Sequence, residues 1–322
     1  MHLTLYTVDP TIYQRFDQRQ TAFGRRDWDR SASFYGKGVH DQALARIQED
    51  RDGYSRLEYA RLRAAWTVAD YFRGAYAWEP LDRGDPVLAA LGPHPVEDRA
   101  AMSAVVVETA RMYGASLVGI APLDRRWVYS HDMQGRPIDI PDGFHSAVVM
   151  AIAMDAGPIA SSPAYLAGSA TGVGYSRMAY AIACLAAYIR NLGYRAIPMG
   201  NDTALSIPLA IDAGLGELGR NGLLVTRAYG PCVRLCKVFT DLPLEPDAAL
   251  SFGVGETCRR CRRCAEACEV GAIHDDPAPS YRTVSASNNA GIERWAVDHD
   301  RCYGFWVENG ASCSTCIAAC PY

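Results

Sequence analysis

Eight of the chain's 11 cysteines fall after residue 257, and they fall in two runs. The first, CRRCRRCAEAC, places Cys258, Cys261, Cys264 and Cys268 at the spacing C-x2-C-x2-C-x3-C. The second repeats the pattern with its first gap stretched to ten residues: Cys302, then CSTCIAACP with Cys313, Cys316 and Cys320 before Pro321. Thiols this dense must either pair as disulfides or share inorganic centres. No charged-then-apolar leader opens the chain, and Arg25-Arg26 is followed by DWDRSASF rather than an apolar segment. The chain as written is therefore expected in the cytoplasm, where thiols stay reduced and crowded cysteines serve as metal ligands.

The spacing is that of bacterial ferredoxins. Two-residue gaps let a tight loop wrap three thiolates around one four-iron, four-sulfur cube, while the fourth, at the start of a helix, points away and serves the other cube. By that exchange one cluster takes Cys258, Cys261, Cys264 and Cys320, and the other Cys268, Cys302, Cys313 and Cys316. Two clusters side by side make an electron wire. Paired zinc sites also use sets of four cysteines, but the x3 fourth positions and the Cys-Pro ending favour iron–sulfur. One departure is Glu269, which stands after Cys268 where the full signature has proline; it should affect the loop rather than ligation.

A double-cluster module needs only the last part of 322 residues, so the rest must hold what the electrons are for. The formal charge of −4 gives no basic field for nucleic acid, although Arg259, Arg260, Arg262 and Arg263 form a local patch. The longest apolar run, AVVMAIAM from Ala147 to Met154, is too short to span a membrane. Coarse periodicity predicts a helix through EYARLRAAWTVADYF, a second from Glu97 to Tyr113, strands at SLVGIAPL and AVVMAIAM, a long helix through SRMAYAIACLAAYIRNLGY capped by Ser176 and stopped by Gly193, and a strand at RAIPM. The pattern is mixed α/β.

GLGELG, Gly214 to Gly219, is literally G-x-G-x-x-G. A dinucleotide site needs a strand before it and a helix after it. Here SIPLAIDAG reads as a helix opened by Ser206 and Pro208, and RNGLLVTRAYGPCVRLCKVF reads as two strands joined at Tyr229-Gly230-Pro231. The glycines instead admit a large flat ligand or make tight turns.

The run from GYSRMAYAIACLAAYIRNLGYRAIPMGNDTALS through GLGELGRNGLLVTRAYGPCVRLCKVFTDLPLEPD, followed by FGVGETCRRCRRCAEAC, resembles the corrinoid-dependent reductive dehalogenases. The likeness reaches upstream to IYQRFDQRQTAFGRR and LDRRWVYS. It implies a nitroreductase-like α/β core holding base-off cobalamin, fed by two 4Fe-4S clusters in a ferredoxin-like domain, with an N-terminal section (1–90), a core (91–245) and a cluster domain (246–322). It implies removal of halide from an organohalide with two electrons and a proton. Tyr175 in GYSRM matches the family's proton donor, and Asn201 and Arg234 match its polar partners; Gly214, Gly216, Gly219, Arg220 and Asn221 are expected at the corrinoid. A tyrosine hydroxyl is a poor acid in water, but a guanidinium, which keeps its charge, stabilises the phenolate left behind.

Local readings compete at each position. Arg234 alternates with Cys232 and Cys236 on one strand face, Asn201 can make a turn, and Trp127 and Tyr129 suit a core. Two other functions use the same parts: an epoxyqueuosine reductase, which carries aspartate where this chain has Tyr175, and a non-catalytic corrinoid or electron carrier, which needs no proton donor. The expected donor is reduced ferredoxin, flavodoxin or another carrier. Family members are implied to continue beyond the last cluster ligand, so an alternative expectation is a fragment of a longer protein; with an export signal restored it would sit on the outer face of the cytoplasmic membrane, with a membrane-anchor partner.

Overall fold

A computed structural model describes residues 7–71 and 85–322. Phe72, the end of the first expected helix, and part of the expected N-terminal section lie outside the described residues. The N-terminal part carries α1 (Ala22–Trp28), α2 (Ala43–Gln48), α3 (Arg56–Ala65), α4 (Thr67–Tyr71) and α5 (Pro86–Ala89). The core follows as α6 (Arg99–Met112), β1 (Leu117–Pro122), β2 (Ser146–Ala153), α7 (Ala156–Ile159), α8 (Tyr165–Asn191), β3 (Ala196–Met199), α9 (Ser206–Asp212), β4 (Glu217–Leu218), β5 (Leu224–Val225) and β6 (Val233–Thr240). The cysteine region holds α10 (Val254–Arg260), α11 (Arg263–Glu266), α12 (His299–Asn309) and α13 (Thr315–Ala318).

The expected strands and helices form, with two differences. EYARLRAAWTVADYF breaks between α3 and α4 at Trp66, the C-cap of α3. Ser176 does not cap a helix: α8 begins at Tyr165, so Ser176 lies within it, and its hydroxyl donates to Ala65 O at 2.7 Å and accepts from Ala69 N at 3.2 Å. Those bonds bind the α3–α4 break to α8. The stop at Gly193 holds, with φ +83° just beyond the C-cap Leu192.

The central sheet runs β1-β2-β6-β3, every pair antiparallel. β2 shows no polar alternation because both its faces are covered. Ala147, Val149 and Ala151 face one apolar cluster with Trp127, Tyr129 and Leu209; Val148, Met150 and Ile152 face another with α6 and α8. In α8, Met178, Ile182, Leu185 and Ile189 recur at helical spacing and are buried to 2% exposure or less. Each such side chain contributes about 1.5–3 kcal/mol on leaving water. Trp127 and Tyr129 are core residues. Among the described residues no helix is long and apolar enough to cross a membrane.

The N-terminal segment lies on the core and on the cysteine region. Arg15 donates to the carbonyls of Val128, Tyr129 and Ile138. Val8 bridges to Ile292, and buried Arg25 pairs with Asp29 and with Asp300 of α12.

One charge sits inside the sheet. Lys237 of β6 is fully buried, between Val149 of β2 and Met199 of β3, and burial pulls its ammonium down to about 8. An unfolded lysine titrates near 10.4. Between about pH 8 and 10.4 the unfolded chain therefore binds more protons than the fold, and this residue's contribution to stability rises with pH. In urea unfolding, wild type should gain about 2 kcal/mol relative to Lys237→Met between about pH 7 and 9.5. An unchanged difference would contradict the burial of a charged lysine.

Candidate functional site: thiol sets and the tyrosine

The eight C-terminal thiols gather in two sets. Cys258, Cys261, Cys264 and Cys320 line one cavity, closed by Pro321 and Tyr322. Cys302 lies in the electrostatic field of Cys313 and Cys268, and Cys316 in that of Cys302, Cys313, Cys264 and Cys268. The sets touch where Cys264, Cys268 and Cys316 pack with Ile273 and Val297. Among the described residues no group of three or more His, Cys, Asp or Glu converges on a point that one metal ion could occupy. Four cysteines on one cavity, at this spacing, suit an iron–sulfur cube.

The surroundings also fit such a unit. Burial first, and neighbouring thiolates second, push Cys264 and Cys302 up to about 12. Gathered thiolates repel each other, and positive iron relieves that repulsion. Backbone N–H groups point at three sulfurs: Arg220 to Cys258 at 3.4 Å, Ala272 to Cys268 at 3.2 Å and Thr315 to Cys313 at 3.5 Å. Such donors tune an iron–sulfur centre from outside its ligand set.

Of the five residues expected at a corrinoid, Gly219, Arg220 and Asn221 line the cavity of the first thiol set, and all five make close contacts within the fold. Gly214 has φ +71°, and a Cβ there would lie 2.5 Å from Ala248 O. A Cβ on Gly216 would meet Val225 O at 2.2 Å, and one on Gly219 would meet Asn221 Oδ1 and Val225 Cγ2 at 2.8 Å. The tight β4–β5 hairpin needs Gly216 and Gly219, while Gly214 lets the chain leave α9 in a left-handed turn against Ala248. Asn221 Oδ1 accepts from Leu223 N across the same turn. Arg220, 1% exposed, donates to the carbonyls of Cys258, Cys261, His274 and Asp276 and lies over the Trp295 ring. It therefore ties the first thiol loop to the segment after it. Arg220→Met should lower stability by about 3 kcal/mol, because four part-buried carbonyls lose a charged donor. It should also speed iron loss to a chelator; wild-type iron retention would argue against this tie.

Tyr175, Asn201 and Arg234 come together from three elements. Tyr175 is half-buried on α8, and Asn201 Nδ2, from the loop after β3, donates to its hydroxyl at 2.6 Å. Arg234 of β6 lies with its guanidinium carbon 5.3 Å from the Tyr175 ring centroid. It thus meets the ring face rather than the hydroxyl, and its Nε–H points to Met154 Sδ at 3.2 Å. The even-numbered strand face is shared as expected: Cys236 is buried against α8, and Cys232 packs with Met154.

Three neighbours had weak or absent sequence signals. Trp66 stacks on Tyr175 with centroids 4.8 Å apart and planes at 26°. Gly172 admits it, since a Cβ there would lie 2.6 Å from Trp66 Cδ1. Met154 ends the apolar run of β2, and a lone lysine in VRLCKVF was the only mark of Lys237. Beside Met154 opens a cleft of about 400 Å³, lined by Ala153, Asp155, Ser169, Ala170, Gly174 and Arg177 among others. Met154 and Ala170 also pack with Ile317 and Cys316. Ser162, between α7 and α8, contacts Thr315 Oγ1 at 3.1 Å and donates to Cys313 Sγ at 3.7 Å. The second thiol set therefore abuts the cleft.

The chain resembles known proteins along its whole length. The family model for the 4Fe-4S dicluster domain matches residues 257–322. A tetrachloroethene reductive dehalogenase from Desulfitobacterium hafniense is 38% identical over 291 residues, covering 77% of this chain and 53% of its own length. The chain thus spans about half the length of that relative. A tetrachloroethene reductive dehalogenase from Sulfurospirillum multivorans is 35% identical over 350 aligned residues, covering 98% of this chain and 68% of its own length. A solved catabolic reductive dehalogenase, in complex with 3-bromo-4-hydroxybenzoic acid, shares the fold: TM-score 0.78 at 23% identity, covering 100% of this chain and 43% of that one. With the dicluster domain in place and this level of identity to a relative of which it spans 68%, the chain belongs to the reductive dehalogenase family.

Proposed function

We propose that the chain carries the halide-removing machinery of a corrinoid-dependent reductive dehalogenase, with Tyr175 as proton donor. The observation that carries this reading is the hydrogen bond from Asn201 Nδ2 to the Tyr175 hydroxyl, on a ring whose face meets the Arg234 guanidinium. Asn201 donates, so it occupies a lone pair of the tyrosine oxygen and leaves the O–H proton free to be given to substrate. Once that proton leaves, the amide and the guanidinium both stabilise the negative charge. Trp66 on the ring fixes the direction of the hydroxyl.

Cys258, Cys261, Cys264 and Cys320 would hold one four-iron cluster, and Cys268, Cys302, Cys313 and Cys316 the other. The small side chains of the cleft, Ala153, Ser169, Ala170 and Gly174, suit the edge of a large flat ring such as a corrinoid. A reduced corrinoid would supply the electron pair that breaks the carbon–halogen bond. The substrate class is a small organohalide, and the donor a low-potential carrier such as reduced ferredoxin or flavodoxin.

Anaerobic reconstitution with iron, sulfide and cobalamin tests the reading. About eight irons per chain, as two four-iron clusters require, with one corrinoid and halide release driven by reduced viologen are the expected result. Iron without cobalt, and no halide release, would leave an electron carrier and overturn the proposal.

A further inference from the structure

We propose that Lys237 is a positioning residue for the tyrosine site, acting through Asn201. The inference rests on the reading of Tyr175 and Asn201 as site residues. Lys237 Nζ donates to Gly200 O at 2.7 Å, to Asp202 O at 3.0 Å and to Ser206 Oγ at 3.0 Å. An ammonium has three donors, and all three are used. Two of the acceptors are the carbonyls of the residues on either side of Asn201. Holding both orients the backbone from which the Asn201 side chain reaches Tyr175.

The rest of the loop agrees with this role. Thr203 stands at φ +68°, a left-handed conformation a threonine rarely adopts unless its surroundings hold it there. The Asp202 carboxylate is turned into its own loop, accepting from Gly200 N at 2.8 Å and Thr203 Oγ1 at 2.9 Å. It does not neutralise Lys237 by direct contact. From the other side, Tyr129 N donates to Thr203 O and Leu205 N to Trp127 O, both 2.9 Å or less. Asn201 itself is exposed, with only the Tyr175 hydroxyl as side-chain partner among the described hydrogen bonds. Its direction therefore comes from the gripped backbone, and the grip comes from the middle of the central sheet. A hydrogen bond at 2.6 Å tolerates little displacement, so loosening the loop should break the Asn201–Tyr175 contact before it disturbs the fold.

The test reads that contact directly and needs no turnover. In iron-loaded protein labelled with ζ-carbon-13 tyrosine, the Tyr175 resonance is assigned by its loss in Tyr175→Phe. Asn201→Ala should move the resonance, Lys237→Met should move it in the same direction by a similar amount, and the double variant should move it no further. A resonance unmoved in folded Lys237→Met, or additive shifts in the double variant, would overturn the proposal. If Lys237→Met does not fold, Ser206→Ala removes one acceptor without burying a new group and should give a smaller shift of the same sign; no shift there overturns it equally. Should Tyr175→Phe retain turnover, the proton-donor reading fails while the coupling of Lys237 to Asn201 stands on its own signal.

Discussion

Tyr175→Phe is expected to keep its iron and its corrinoid and to lose turnover by about 10²–10⁴-fold, the usual worth of a positioned general acid. The substitution removes one oxygen. The ring that stacks on Trp66 and lies beneath Arg234 remains, so packing and the cleft should be undisturbed. Asn201 is exposed, so its freed amide turns to water and no buried donor is stranded. Halide release under reduced viologen, measured beside iron and cobalt content, separates the outcomes. A Phe variant turning over at the wild-type rate would remove Tyr175 from the chemistry. Loss of corrinoid together with activity would make the tyrosine part of the cofactor site instead.

The second large effect concerns which thiols share a cluster. Cys320→Ser should reduce iron from about eight to about four atoms per chain and spare the centre held by its sequence neighbours Cys313 and Cys316. Cys268→Ser should do the reverse, sparing the centre held by Cys258, Cys261 and Cys264. The reason is spatial: Cys320 shares a cavity with the first run, and Cys268, alone of that run, lies close enough to Cys302 to perturb it. Iron analysis with low-temperature paramagnetic resonance of the reduced variants decides it. Loss of the Cys302, Cys313 and Cys316 centre in Cys320→Ser would show that each run keeps to itself.

The paired halves of this protein differ in how openly the chain states them. Thiol ligation is local. A C-x2-C-x2-C loop brings three sulfurs together by its own length, so the spacing alone announces iron–sulfur centres, and the dicluster match over residues 257–322 agrees. The helical period of Met178, Ile182, Leu185 and Ile189 and the uninterrupted apolar run of β2 are also local signals, and the long helix and buried strand followed from them. The tyrosine site is not local. No periodicity singles out Tyr175 from 18 tyrosines; the resemblance did so.

Other features became visible only once the chain was folded. Trp66 reads as one more apolar position in a helix, and only packing through the gap at Gly172 sets it on Tyr175. Nothing around Arg220 in GLGELGRNG announces the four carbonyls of the thiol segment that its guanidinium gathers. Lys237 reads as a polar interruption in a strand, whereas sheet order puts it centrally, with its charge spent on the backbone around Asn201. By itself the sequence determined the elements, the thiol spacing and the residue types able to carry the chemistry, since each depends on neighbours a few positions away. Tertiary structure alone decided which distant side chains meet, because buried donors and acceptors must find partners wherever the fold provides them.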